Sequence, residues 1–226
     1  MLNISATDGW RQAYPGAIIG LLEVSGLGNV QPNQLITRHK RETESLLRNK
    51  YGKFSRGDFL LQPDMAAYTA YYKHFNKTYH VLLQVESIAV KNKCLPDVSP
   101  LVDANFTAEV ETFILTAGHD ADKLKEPLLM DISRPVERMI LMNNETKSLL
   151  CSDMIMRDQH GICCSILYGQ DNRSKVSTAT QHVLYVSYAP PGITSQTVMD
   201  QLQRIEGNIS LFAQNIKIEQ KRLLTA

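Results

Sequence analysis

An α+β fold is predicted by three observations along this 226-residue chain. Apolar residues recur at helical spacings through most of the first half, whereas from Leu128 to Ala189 they fall in short runs suited to strands. Gly, Pro, Asn and Asp interrupt these runs where helices cap and hairpins turn. Hydrophobic residues at 43% and charged residues at 21% are ordinary globular values, and one core over residues 1–226 lies within the size range of layered folds.

The first element is a buried strand in Gly16-Ala17-Ile18-Ile19-Gly20-Leu21-Leu22-Glu23-Val24, a short apolar run bounded by glycines. Pro32-Asn33 then opens a helix to about Lys50, with Leu35, Leu46 and Leu47 as apolar anchors and Arg38, Lys40, Arg41 and Arg48 set against Glu42 and Glu44. Pro63 suits the first turn of the next helix, whose inner face is Tyr68, Tyr71, Tyr72 and Phe75. Val81, Leu82, Val85, Ile88 and Ala89 mark a third helix. A fourth starts at Ser99-Pro100, carries Val102, Phe106, Val110, Phe113 and Ile114 on one side, and is expected to end at Gly118.

Beyond Pro127 the strand candidates are Arg138–Met142, Asp153–Met156, Ile162–Tyr168 and His182–Tyr188, separated by Asn143-Asn144, Gln159-His160-Gly161 and Gly169-Gln170-Asp171-Asn172. A last helix beginning near Thr194 presents Val198, Leu202, Ile205 and Ile209.

A formal net charge of +1 argues against wholesale wrapping of nucleic acid, though not against a local basic face. No window approaches the length of a spanning helix, and the first residues lack a secretory pattern, so a cytoplasmic location is expected. Cys94, Cys151, Cys163 and Cys164 are too irregularly spaced for a disulfide framework or a zinc site, and no metal or cofactor is expected. Phosphate-binding loops, nucleophile elbows and His-Glu-x-x-His are absent. Gly26-Leu27-Gly28 lacks the third glycine of a dinucleotide site and reads as a turn. A nucleophile at Cys163 or Cys164 would need an activating base and some exposure, and their strand setting favours the core.

Two polar clusters stand out. Gly118-His119-Asp120-Ala121-Asp122, at the expected helix exit, sets an imidazole and two carboxylates together without apolar neighbours; it is either a site for water or an amine, or a solvated helix cap. Gly169-Gln170-Asp171-Asn172-Arg173-Ser174-Lys175 joins strands, where binding groups collect, and is otherwise a plain hairpin.

Several segments, in order, resemble a known family: Tyr71-x-x-x-Phe75-x-Lys77, Leu95-Pro96-x-x-x-Pro100-Leu101-Val102-Asp103, His119-Asp120-x-Asp122-Lys123-Leu124, and Gly169-x-Asp171-x-Arg173-Ser174 followed by Thr180 and Val183-Leu184-Tyr185. The set resembles the B3/4 domain of the phenylalanyl-tRNA synthetase β subunit in free-standing form. The resemblance implies a three-layer sandwich, a β-sandwich of unusual topology combined with helices. It further implies editing: hydrolysis of the ester joining a wrong amino acid to tRNA, a second selection step where one apolar pocket discriminates by only about 1–3 kcal/mol. Such an ester is already activated, so a positioned water and oxyanion donors suffice without a triad.

Carried over by position, the family's acidic landmarks fall on Asp103 and Asp120. Its usual asparagine falls on Phe106, beside Asn105. The synthetase's editing histidine falls on Ala117, with His119 near, and its glutamate falls around Val186. The implied catalytic set is His119, Asp120 and Asn105, with Asp103, Gly169, Asp171, Arg173 and Ser174 around the substrate. Arg38, Lys40, Arg41 and Arg48 are candidates for holding tRNA, with Lys50 and Lys53 beside them. Two readings follow: a deacylase acting in trans on aminoacyl-tRNA, or a module that binds tRNA or a free amino acid without hydrolysis.

Overall fold

The computed structural model describes residues 1–29 and 32–226. In chain order its elements are β1 (Ile4–Ala6), α1 (Asp8–Ala13), β2 (Ile18–Ser25), α2 (Gln34–Tyr51), α3 (Arg56–Leu60), α4 (Pro63–His74), α5 (His80–Ala89) and α6 (Pro100–Thr112). There follow β3 (Thr116–Asp120), β4 (Leu128–Ile132), β5 (Arg138–Ile140), β6 (Thr146–Ser148), β7 (Met154–Asp158), β8 (Gly161–Ser165) and β9 (Gly169–Gln170). The chain then runs through β10 (His182–Ala189), α7 (Ser195–Ser210) and β11 (Lys217–Thr225). The fold class is α+β, as the sequence predicts.

One sheet has the order β11-β2-β10-β3 and a second the order β1-β4-β7-β8-β9, with β5 and β6 forming a separate hairpin. Strand alternation decides the layering. On the first sheet, Leu21, Leu184 and Val186 join a core with Met130, Met154 and Met156 of the second sheet. Leu22, Val24, Val183 and Tyr185 instead meet Leu101, Ala104 and Ala108 of α6 and Leu202, Ile205 and Ile209 of α7. Helices, sheet and sheet are therefore stacked in three layers. Gly20 allows the closest approach of α7, since a Cβ there would lie 2.6 Å from Val198 Cγ1.

Helix α4 ties the two sheets together. Tyr68 donates its hydroxyl proton to Tyr188 O of the first sheet at 2.7 Å, while Tyr71 donates to Asp153 Oδ1 beside the second at 2.6 Å. The tyrosine stripe is the buried face that its spacing predicts.

Helix α2 corrects the sequence reading: Leu35 and Leu46 are exposed, and the inward face is Ile36, Lys40, Thr43, Glu44, Leu47 and Tyr51. Helix α6 also ends early, at Thr112 and not at Gly118. Phe113 takes a left-handed φ of 64°, uncommon for a bulky residue, and Tyr79 holds it by donating to Phe113 O at 2.8 Å. The chain after it becomes β3, so His119 and Asp120 lie in an edge strand and not in a helix exit.

A candidate cavity where two sheet edges meet

Strands β3 and β9 are the edges of their respective sheets and run against each other. Above this seam pass α5 and α6, and between them lies a cavity of about 430 Å³, within the range of small-molecule sites. Its walls are mainly apolar, including Leu101, Val102, Leu115, Ala117, Ile166 and Val176. Val98 and Met142, the most exposed of the lining residues, mark the mouth. Gly169 has a φ of +87°, a backbone state open to glycine, and turns the chain so that β9 doubles back on β8.

The polar lining is sparse: His80, Gln84, Asn105, Glu109, Thr116, Ser165 and Gln170, with the hydroxyls of Tyr185 and Tyr188. Asn105 donates its Nδ2 proton to Thr116 O at 2.8 Å, which leaves the buried Oδ1 without a donor. One helical turn on, Glu109 is 3% exposed, and burial alone raises its carboxyl pKa well above the usual carboxylate range. Burial pushes the His80 imidazole down to about 4, so this ring is neutral at pH 7; its Nδ1 lies 3.2 Å from the Tyr72 hydroxyl. No lysine or arginine lines the cavity among the described residues.

Of the residues singled out from the sequence, Asn105 and Gly169 lie in the cavity wall. His119 is completely buried, with Nδ1 2.7 Å from Ser174 Oγ and 3.3 Å from Gln170 Nε2. Ser174 in turn donates to Asp171. Asp171, Ser174 and His119 thus form a chain behind Gln170, supporting the wall without lining it. Burial, reinforced by the nearby Arg173, pushes the His119 pKa down to about 3. The ring is therefore neutral and cannot act as an acid at pH 7.

Asp120 lies apart from this chain. It accepts from Thr180 Oγ1 at 2.7 Å and pairs with Lys123 at 2.9 Å, pinning the loop that leads into β10. Arg173 pairs with Asp158 at 2.8 Å and with Asp171 at 3.4 Å, bracing the β9 turn against the β7–β8 turn. Cys163 and Cys164 are both buried, and burial raises both thiols, Cys164 to about 12, so neither is a thiolate.

The basic stripe of α2 is largely committed internally. Lys40 is fully buried, paired with Asp103 at 2.8 Å and Asp97 at 2.6 Å, so it is a structural charge and no contact for tRNA. The same pairing takes Asp103 away from any substrate. Arg41 bonds Glu44 and Asp97, Arg48 bonds Glu44, and Arg38, though exposed, pairs with Glu42 at 2.8 Å.

Sequence reasoning missed Glu109 and His80. Glu109 had a usable signal, since it falls one turn after Asn105 on a helix otherwise rich in apolar residues. Among the described residues no group of three His, Cys, Asp or Glu side chains is placed to hold a metal ion, and no helix is long and apolar enough to cross a membrane.

No curated protein matches the chain. Among solved structures, an N-terminal fragment of the phenylalanyl-tRNA synthetase β-subunit from Pyrococcus horikoshii is similar, with a TM-score of 0.47 and 11% identity over 93% of this chain. The chain spans about half of that fragment, 48% of its length. The model of the B3/4 domain matches residues 65–206, well over half of the sequence and the whole of the cavity lining. The chain belongs to the B3/4 domain family.

Proposed function

We propose that the cavity receives the aminoacyl group of a charged tRNA and that the protein hydrolyses the ester of a mischarged one. The observation that carries this reading is the charge of the lining: one buried carboxyl, Glu109, and no lysine or arginine among the described residues. A free amino acid would bring a carboxylate into an apolar wall beside Glu109 with no counterion, at a cost of several kcal/mol. An esterified amino acid brings an ammonium and no carboxylate. Membership of the B3/4 domain family, which the sequence resemblance links to editing, supports the same choice of substrate.

In this reading water is the nucleophile. Thr116, Ser165 and Gln170 are neutral polar groups of the wall, each already hydrogen-bonded within the fold, and the neutral His80 ring is a candidate proton acceptor. The high thiol pKa values argue against a cysteine route. A reading as a non-hydrolytic binding module is favoured by one observation: Ala117 and Val186, where the resemblance places the synthetase's histidine and glutamate, are cross-strand partners on β3 and β10 and both apolar.

Pure protein incubated with a panel of correctly and wrongly charged tRNAs separates these readings. Hydrolysis of at least one mischarged species, retained in Cys163→Ala and reduced in Gln170→Ala or His80→Ala, supports the deacylase. Binding of charged tRNA with no ester loss across the panel refutes it and leaves the binding module.

A further inference from the structure

Cavities in folded proteins rarely leave polar groups both buried and unpartnered, because each such group costs free energy that a hydrogen bond would recover. This cavity has one such group on α6, Asn105 Oδ1, with the buried Glu109 carboxyl close to it in sequence. Glu109 lines the cavity and is 3% exposed, and its raised pKa follows from burial. Asn105 Oδ1 is buried and without a donor. The two residues are four apart on one helix, which sets their side chains on the same face one turn apart.

Their chemistry is selective. The Asn105 amide nitrogen is already committed to Thr116 O, so the residue offers only an acceptor. Glu109 offers an acceptor and, once ionised, a negative charge. A ligand that satisfies both is a donor with several N–H groups and a positive charge, and the surrounding apolar wall excludes a second charged group of either sign. The Tyr188 hydroxyl, also lining the cavity without a partner, is a further neutral contact.

We propose that Glu109, with Asn105 Oδ1, is the recognition site for the primary ammonium group of the ligand, and that the cavity thereby takes amino-acid esters and amides while rejecting free amino acids and N-acylated ones. This rests on reading the cavity as the ligand site, but it does not require hydrolysis. Glu109 is a binding residue in this scheme. It is not asked to move a proton to the ester.

The test uses the full chain and no tRNA. L-Phenylalaninamide, L-tyrosinamide and L-leucinamide, their N-acetyl counterparts and the free acids are titrated by calorimetry or by amide-shift NMR. At least one amide is expected to bind, with its N-acetyl form and free acid weaker by about tenfold or more, as loss of a charge-assisted hydrogen bond implies. Glu109→Gln is expected to lower amide affinity by a similar factor with the N-acetyl form unchanged. The wild-type contrast between amide and N-acetyl amide needs no variant, so a folding defect cannot mask the answer. Equal binding of amide and N-acetyl amide, unchanged affinity in Glu109→Gln, or no binding by any amide overturns the proposal. Amide binding that depends on Glu109, together with intact charged tRNA in the deacylation panel, keeps this inference and removes the hydrolase.

Discussion

Asp153 is a group through which pH should act directly on this fold. Burial raises its pKa to about 7, against the hydrogen bonds from Ser165 and Tyr71 that pull the other way. An acid raised in the folded state binds its proton more tightly there than in the unfolded chain, so its contribution to stability is full at low pH. That contribution is lost as pH rises from about 4 to about 7, where the folded group finally ionises. Between pH 5 and pH 8 the folded carboxyl passes through nearly two units in which it alone is protonated, worth ~2–3 kcal/mol at 1.36 kcal/mol per unit. Urea unfolding of the wild type and Asp153→Asn at the two pH values isolates the effect, because the amide mimics the neutral acid and every other titrating group is common to both proteins. The wild type should lose ~2–3 kcal/mol more than the variant between pH 5 and pH 8. Parallel losses in the two proteins would refute the assignment, and a larger loss in the variant would reverse its sign.

Three other outcomes follow from the packing. Lys40→Met should destabilise the fold by ~3–5 kcal/mol in denaturant, because it strands the buried Asp103 without its cation. A binding assay on the part that stays folded should show no change in tRNA affinity. Gly20→Ala should cost ~1–3 kcal/mol, read as a lower midpoint in thermal unfolding, since its Cβ would meet Val198 on α7. Tyr79→Phe should cost ~1–2 kcal/mol by the same measurement, because Phe113 O loses the donor that holds the end of α6.

The elements legible in the sequence are those whose burial is written in their own spacing. The tyrosine stripe of α4 faces a core on the side that its spacing assigns, and the apolar runs of β2 and β10 are strands buried on both faces. Strand β11 was not legible because it pairs only with β2 and carries Lys217, Glu219, Lys221 and Arg222, a charged edge without an apolar run. Strand β3 was hidden in what reads as the tail of α6, because the break is made by Tyr79, a residue from another element. His119 was misread for a related reason. Its own neighbours are small or polar, and its ring is held by Ser174 and Gln170, more than fifty positions away. Glu109 and Lys40 share one difficulty: a charge on a helix reads as a solvated face unless its non-local surroundings are known.

The register of β3 against β10 bears on the proposed function. Ala117 and Val186 face each other across that pair, so the two positions where the resemblance implies a histidine and a glutamate form one spot on one sheet. Here that spot is hydrocarbon. Asn105 Oδ1 and Glu109 lie on α6 and the Tyr188 hydroxyl on β10, while Gln170 lies on β9, supported by Ser174 and Asp171 from the following turn and by His119 of β3. The proposal that Glu109 holds an ammonium therefore sets the amine and the polar groups of β9 on different walls of the cavity, whose mouth is at Val98 and Met142.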